Sequence, residues 1–435
     1  MARRLQSDAT LALTAALSDG SARISVRRGE APGPRRSRGN TFAHYARRCS
    51  LCLALLGAAC AGPPRPVSGA PTDSSEAMRL SAEEQRQIDP VLLAELRRDP
   101  HQYFRFLAHA FVSRECAVAA RGPAVNLHGD VHLEQYLVTS LGRGLGDFDD
   151  ATTGPAGMDL VRIATSIRIA SRMRSWDAWA LWNGFVEGYV AALRDPTTRA
   201  PVPRYVTRIE EGFHHDHARL LAWCETLLEP ISDERRARLE IAFATYADSL
   251  MARRPELRPE AFEIVRVGRH HLGVGSRHHR NYLIRTRGPS AAPEDDLVFE
   301  AKAVATNPDA TCLPDAARPD PLRVLVADAR IAYAPFRDVG AVSIAGRPYW
   351  IHEFVDDYVE VDLEDDALDQ AQMLELAYDM GVQLGLGHPR SIAAPYGDEL
   401  RRHLVAFVGD EGEALWEVSG RMFRQVWDGW EQLRR

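Results

Sequence analysis

The sequence predicts an α+β protein with a helical lobe and a small antiparallel-sheet lobe. Three observations lead there. The chain has 435 residues, enough for two lobes with sizeable cores. Apolar residues recur at helical spacing from about Ala82 to Val112, again from Asp159 to about Arg253, and from about Asp366 onward. Between roughly 260 and 360 the pattern changes to short β-rich runs bounded by Gly and Pro. The division expected is a leader and extension over 1–60, a linker over 61–80, the helical lobe over 81–255, the β lobe over 256–362, and C-terminal helices over 363–435 that pack back on the helical lobe.

Residues 1–48 hold ten arginines and three acids with no clear apolar period. Arg47-Arg48 is followed by the apolar run Leu51–Ala59 and then Cys60. A basic region, a short apolar core and small residues before a cleavage point describe a secretory signal, and the run is too short to span a bilayer as a helix. Leu55-Leu56-Gly57-Ala58-Ala59-Cys60 resembles a lipoprotein cleavage box, which makes Cys60 the expected lipidation site. The chain is then expected to be exported and held at the membrane by that lipid; it is cytoplasmic if the leader does not function. The Pro-, Ser- and Thr-rich stretch after Cys60 reads as a tether. Cys116, Cys224 and Cys312 are too few and too scattered for a disulfide framework or a metal pattern; three buried thiols are expected, with one disulfide as the alternative.

The composition, 45% hydrophobic and 26% charged with a net charge of −7, is that of an ordinary globular chain and gives no reason to expect a nucleic-acid partner. Among 53 basic residues, Lys302 is the one lysine. Arg and Lys exchange freely on a wet surface but not where a compact ammonium is required. Lys302 is therefore singled out.

The densest chemistry lies between 125 and 165. Val125-Asn126-Leu127-His128-Gly129-Asp130-Val131-His132-Leu133-Glu134-Gln135-Tyr136-Leu137-Val138 reads as strand, tight loop, strand. Gly146-Asp147-Phe148-Asp149-Asp150 forms a second acidic loop. Gly154-Pro155 breaks the chain, and Asp159 is expected to N-cap a helix carrying Leu160, Ile163, Ala164 and Ile167. Carboxylates in loops suit Mg²⁺, which takes one or two of them together with phosphate oxygens and water. A separate carboxylate can orient or deprotonate an attacking hydroxyl.

His-Gly-Asp-x-His, then Asp-Phe-Asp-Asp, then Asp-Leu opening a helix resembles the catalytic core of aminoglycoside phosphotransferases and their protein-kinase-like relatives. The run from Gly129 to Arg162, with Tyr103-Phe104-Arg105 upstream, is still more similar to the DUF2252 proteins, a bacterial family of unknown function. The resemblance covers the chain from about residue 85 onward. It implies a two-lobed kinase-like fold, ATP and Mg²⁺ as cofactors, and an acceptor hydroxyl of unknown identity. Asp130 would be the catalytic base, with His128 and His132 in the catalytic loop. Asp147, Asp149 and Gln135 would hold metal. Asp159 and Arg105 would be structural. Gln135 departs from the Asn of both families, and its longer stem puts turnover in doubt, because Mg²⁺ tolerates misplaced ligands poorly.

A phosphate cradle follows the catalytic loop instead of preceding it. Gly273-Val274-Gly275-Ser276 heads a hairpin whose return strand carries Lys302, which suits backbone approach to phosphate and an ammonium for its oxygens. Glu353 and Val355 close a strand that resembles a hinge for adenine. The helix ending near His388 resembles the one that introduces a kinase catalytic loop, so the order reads as circularly permuted. Asp328 is the candidate acidic partner of Lys302. A non-catalytic binding or scaffold protein and a metal-dependent hydrolase are the alternatives. The His214-His215-Asp216-His217 run and the other paired histidines are not expected to bind metal, and Trp176, Trp179 and Trp182 are expected in a core or groove.

Overall fold

The computed structural model describes residues 78–270, 281–290 and 292–435. The expected Gly273, Gly275, Ser276 and Cys60 lie outside them. Within them the protein is α+β.

Four short helices come first: α1 (Ala82–Gln87), α2 (Pro90–Arg98), α3 (Pro100–Phe106) and α4 (Ala108–Val118). Their punctuation is local. Ser81 and Glu84 form a capping box on α1, while Asp89 and Asp99 each cap a helix whose first residue is Pro.

Strands β1 (Ala124–Leu127) and β4 (Thr152–Pro155) pair antiparallel and enclose the hairpin of β2 (Tyr136–Thr139) and β3 (Gly142–Leu145). Helix α5 (Gly157–Arg174) follows, then α6 (Ala178–Arg194), α7 (Arg204–Glu211), α8 (His217–Leu227) and α9 (Asp233–Met251). Asp159 does not cap α5. The helix begins at Gly157, and the Asp159 carboxylate, in its first turn, points back at the loop after β1.

The antiparallel sheet contains β5 (Ile264–His270), β6 (Asn281–Thr286), β7 (Leu297–Ala303), β8 (Gly340–Ile344) and β9 (Arg347–Glu353) in the order β5-β6-β7-β9-β8. Helix α10 (Leu322–Ile331) lies in the crossover between β7 and β8. The final strand of the expected β region, β10 (Tyr358–Glu360), does not join this sheet; it pairs with β2. Helices α11 (Gln370–Gly387) and α12 (Tyr396–Arg434) complete the chain.

Two main apolar cores result, with two small clusters beside them, one around Leu220, Leu221 and Cys224 of α8 and one around Val382 and Leu386 of α11. The larger joins α2–α6, β1–β3, α10, α11 and α12. The smaller sits between α9 and one face of the five-stranded sheet, where Phe299 and Ala301 of β7 meet Phe243 and Tyr246. Successive residues of a strand face opposite ways. Glu300 and Lys302 therefore lie on the other face of β7 and point away from α9. Helices α6 and α11 cross closely: a Cβ on Gly188 would lie 2.1 Å from Tyr378 O, and one on Gly381 2.0 Å from Phe185 O. Trp182 is buried, Trp179 is exposed and stacks edge-on with Trp416, and Trp176 precedes α6.

Cys116 of α4 and Cys312 form a disulfide, with Cα atoms 5.3 Å apart, and Cys224 is a buried thiol. This overturns the expectation of three thiols. Residues 196 apart in sequence carry no local sign of their pairing.

Candidate functional site

The β2–β3 hairpin lays the two acidic loops side by side. Gly146 N donates to Gln135 O at 3.0 Å, and the buried His128 ring reaches Gly146 O with Nε2 at 2.9 Å while packing at a tilt against Phe148. Gly129 has φ +86, and a Cβ there would lie 2.1 Å from Asp150 O; only glycine lets the backbones approach so closely.

Asp159 braces the first loop. Its carboxylate accepts from His128 N at 2.7 Å and Gly129 N at 3.0 Å. It also meets His388 Nε2 at 3.1 Å, and Nδ1 of that ring is 2.8 Å from the Tyr189 hydroxyl. Burial works against ionisation of Asp159, but the His388 bond and the loop amides outweigh it and hold the carboxyl below its usual range.

Asp130 projects from this loop onto Arg162 of α5, whose Nε and Nη2 reach Asp130 Oδ1 at 2.9 and 2.5 Å. Arg162 is 1% exposed and its guanidinium lies 3.7 Å from the Phe104 ring and 4.5 Å from the Phe111 ring. Burial still pushes the Asp130 carboxyl up, against the pull of Arg162. His132 is buried with Nε2 3.9 Å from Asp130 Oδ2; burial and the nearby Arg105 charge drive its pKa well down.

Asp147 takes the left-handed conformation, φ 58 and ψ 62, a costly backbone for a non-glycine residue. That backbone turns the loop toward Lys302. The ammonium, on a side chain 15% exposed, lies 2.6 Å from Asp147 Oδ1 and 2.5 Å from Asp149 Oδ2. Burial opposes the Asp147 charge, yet Lys302 overrides it and holds the carboxyl far below the usual range. For Asp149, burial and the neighbouring Asp147 charge prevail over Lys302, and its carboxyl is pushed up to about 7. Burial would lower the Lys302 pKa, but Asp147, Asp149 and Glu300 raise it well above the ordinary value.

Trp350 Nε1 donates to Asp149 Oδ1 at 2.6 Å, and Arg323 Nη1 donates to Asp149 O at 2.6 Å and Ala151 O at 2.7 Å. Asp328 is not the partner of Lys302. It is buried on α10, where its carboxylate accepts from Phe336 N at 3.3 Å.

Arg105 bonds Glu134 at 3.0 Å and lies 3.6 Å from Glu360 on β10. Glu134 is buried and also accepts from Gln102 Nε2 at 3.0 Å. Gln135 is buried at the end of the turn Leu133–Gln135, directly beside Gly146. Glu353 ends β9: its N donates to Arg337 O at 3.0 Å, and the next amide, Phe354 N, donates to Val298 O at 2.7 Å. Val355 follows and is buried. Of the histidine run, Asp216 caps α8 and His217 Nδ1 meets Asp356 at 2.8 Å.

Among the described residues no group of three or more His, Cys, Asp or Glu has a metal-binding arrangement. The donor set that remains, two carboxylates, matches the protein share of a Mg²⁺ shell. The two already converge on one positive centre, the Lys302 ammonium, so a hard cation is chemically compatible with them.

The structure thus gathers Asp130, Asp147, Asp149, His128, His132 and Lys302 around two zipped loops. Sequence reasoning assigned no role to Arg162, Glu134, Trp350 or Arg323. Arg162 closes the run from Gly129 that carries the family resemblance, and Glu134 stands inside the segment 125–138. Trp350 and Arg323 had no local signal.

The family model described as "Uncharacterized protein conserved in bacteria (DUF2252)" matches residues 87–220 and 213–435. No curated protein and no solved structure matches the chain.

Proposed function

Starting from the premise that this chain belongs to the DUF2252 family of bacterial proteins, we propose that it is a kinase-like, Mg²⁺- and ATP-dependent phosphotransferase acting on a hydroxyl acceptor. The observation that carries the reading is the meeting of Lys302 with Asp147 and Asp149, across 155 residues of chain. A lone lysine from a sheet and an aspartate-bearing loop are among the protein groups that metal-assisted phosphoryl transfer uses.

In this reading Lys302 holds phosphate oxygens, and Asp147 and Asp149 hold Mg²⁺ with the Gln135 amide. The bound metal neutralises charge on the phosphates. Asp130 receives the acceptor hydroxyl. Arg162 leaves Oδ2 of Asp130 as the oxygen that faces the acceptor, because Oδ1 takes both of its bonds. Asp159 keeps the Asp130 loop in place through its two amide bonds. His132, buried and with its pKa driven down, lies 3.9 Å from Asp130 Oδ2, and the acceptor proton goes to the carboxylate.

A circularly permuted kinase-like topology is supported by the end of α11. Asn126 Nδ2, on the strand that leads into the catalytic loop, donates to Gly387 O and His388 O at 3.0 Å and to Arg390 O at 3.1 Å. The helix that should introduce the loop ends against it, although it comes about 260 residues later. Export with a lipid at Cys60 is supported by the Cys116–Cys312 disulfide, since such bonds persist in oxidising compartments. Among the described residues no helix is long and apolar enough to cross a membrane.

The test is ADP formation by purified protein with Mg-ATP and a panel of hydroxyl compounds. Wild-type turnover that disappears in Asp130→Asn and Lys302→Ala supports the enzyme. Mg-ATP binding without turnover in the wild type would favour the second reading, a non-catalytic binding protein, which Gln135 in place of Asn already favours. Release of phosphate from simple esters with metal alone would favour a hydrolase and sink both.

A further inference from the structure

The two carboxylates assigned to a metal already hold a cation. Lys302 Nζ sits 2.6 Å from Asp147 Oδ1 and 2.5 Å from Asp149 Oδ2. Neither side of this contact is slack. The Trp350 ring lies 5.5 Å from Nζ and its Nε1 is bonded to Asp149. Arg323 pins the loop backbone at Asp149 O and Ala151 O. Glu300, two residues before Lys302 on the same face of β7, offers the ammonium no comparable refuge, because its oxygens meet His270 Nε2 at 3.2 Å and His352 Nε2 at 3.0 Å.

We propose that Lys302, Asp147 and Asp149 form a charge lock that admits a metal–polyphosphate complex and refuses either component alone. A divalent ion bound to both aspartates at roughly 2.1 Å would stand within about 5 Å of the ammonium. The site is half-buried, with the Lys302 side chain 15%, Asp149 23% and Asp147 37% exposed, so the repulsion is screened less than in bulk water but not abolished. Free polyphosphate meets Asp147, Asp149 and Glu300 with one ammonium among them, and that ammonium is already paired. When the two arrive together, the phosphate takes over Lys302 while the metal takes over the aspartates, and every charge exchanges one partner for another. The coupling is reciprocal: metal tightens polyphosphate by the factor with which polyphosphate tightens metal. The lock rests on the phosphotransfer reading and defines the ligand that this site takes.

The experiment is titration calorimetry and thermal melting of the full chain with MgCl₂, ATP in EDTA, tripolyphosphate in EDTA, and Mg-ATP. The wild type should bind Mg²⁺ at least tenfold more tightly with ATP present than without it, a coupling of about 1.4 kcal/mol. Lys302→Met should bind Mg²⁺ alone at least tenfold more tightly than the wild type, and Lys302→Arg, which keeps the charge, should not. A wild type that binds Mg²⁺ equally well with and without ATP overturns the lock and leaves the phosphotransfer reading standing. Binding of ATP or tripolyphosphate in EDTA as tight as that of Mg-ATP likewise overturns the lock. If Mg-ATP does not bind, the phosphotransfer reading fails, and the Lys302→Met titration still decides whether the ammonium excludes metal. Should Lys302→Met not fold, the wild-type coupling alone supports or overturns the lock.

Discussion

Arg162→Leu tests whether Asp130 is held by one buried cation. Arg162 is 1% exposed and makes two bonds to Asp130 Oδ1, at 2.9 and 2.5 Å. Removing one member of a buried ion pair costs about 3–5 kcal/mol, chiefly because the other charge is stranded. The Phe104 and Phe111 faces add a cation–π share of up to about 2 kcal/mol, which overlaps the first figure. A loss of about 4 kcal/mol is therefore expected near neutral pH. Burial already raises the Asp130 carboxyl, and losing Arg162 raises it further. A carboxyl whose folded pKa lies above its unfolded value of about 3.9 destabilises the fold once it ionises. The deficit should therefore shrink as the pH falls through the folded pKa. Urea denaturation of Arg162→Leu, Asp130→Asn and the double variant, at about pH 7 and about pH 5, measures this directly. Asp130→Asn should rescue Arg162→Leu with a coupling of about 2 kcal/mol. A single-variant loss below about 1 kcal/mol, or simple additivity in the double variant, would refute the clamp.

Other outcomes follow from the same geometry. Gly129→Ala must fit a Cβ 2.1 Å from Asp150 O at φ +86, and should cost about 3 kcal/mol or more in urea denaturation; a neutral effect would mean that the loops are not zipped as described. Reducing Cys116–Cys312, or replacing both by Ser, should cost about 2–5 kcal/mol because the bond closes a long loop. Matching unfolding curves with and without reductant would contradict that. Gln135→Asn, which withdraws the amide by one methylene, should raise ATP turnover about tenfold if the amide binds metal. Unchanged ADP release would remove Gln135 from the metal shell.

What the sequence disclosed was local. The polar knot from His128 to Gln135, the second acidic loop and the uniqueness of Lys302 could be read from neighbouring residues, because each sits between apolar runs of clear period. Partners fixed only by tertiary packing could not. Lys302 was matched to Asp328 on a nearby segment, whereas its contacts come from a loop 155 residues away. Asp159 carries the local mark of a cap, but the loop after β1 claims its carboxylate. The β lobe is expected to run to residue 362, yet the three residues of β10 add to β2 instead of to the five-stranded sheet. With three cysteines outside the leader, nothing in the spacing could choose a pair.

The contacts of Asn126 and Asp159 with residues 387–390 have a consequence for biosynthesis. A ribosome makes the acidic loops early and their brace late. Until the stretch around His388 has emerged, some nine-tenths of the way along the chain, the nascent polypeptide cannot finish the pocket it began, and the loop after β1 lacks its brace. A premature stop codon between Val355 and His388 would release a product with the motif residues present and no means of fastening them.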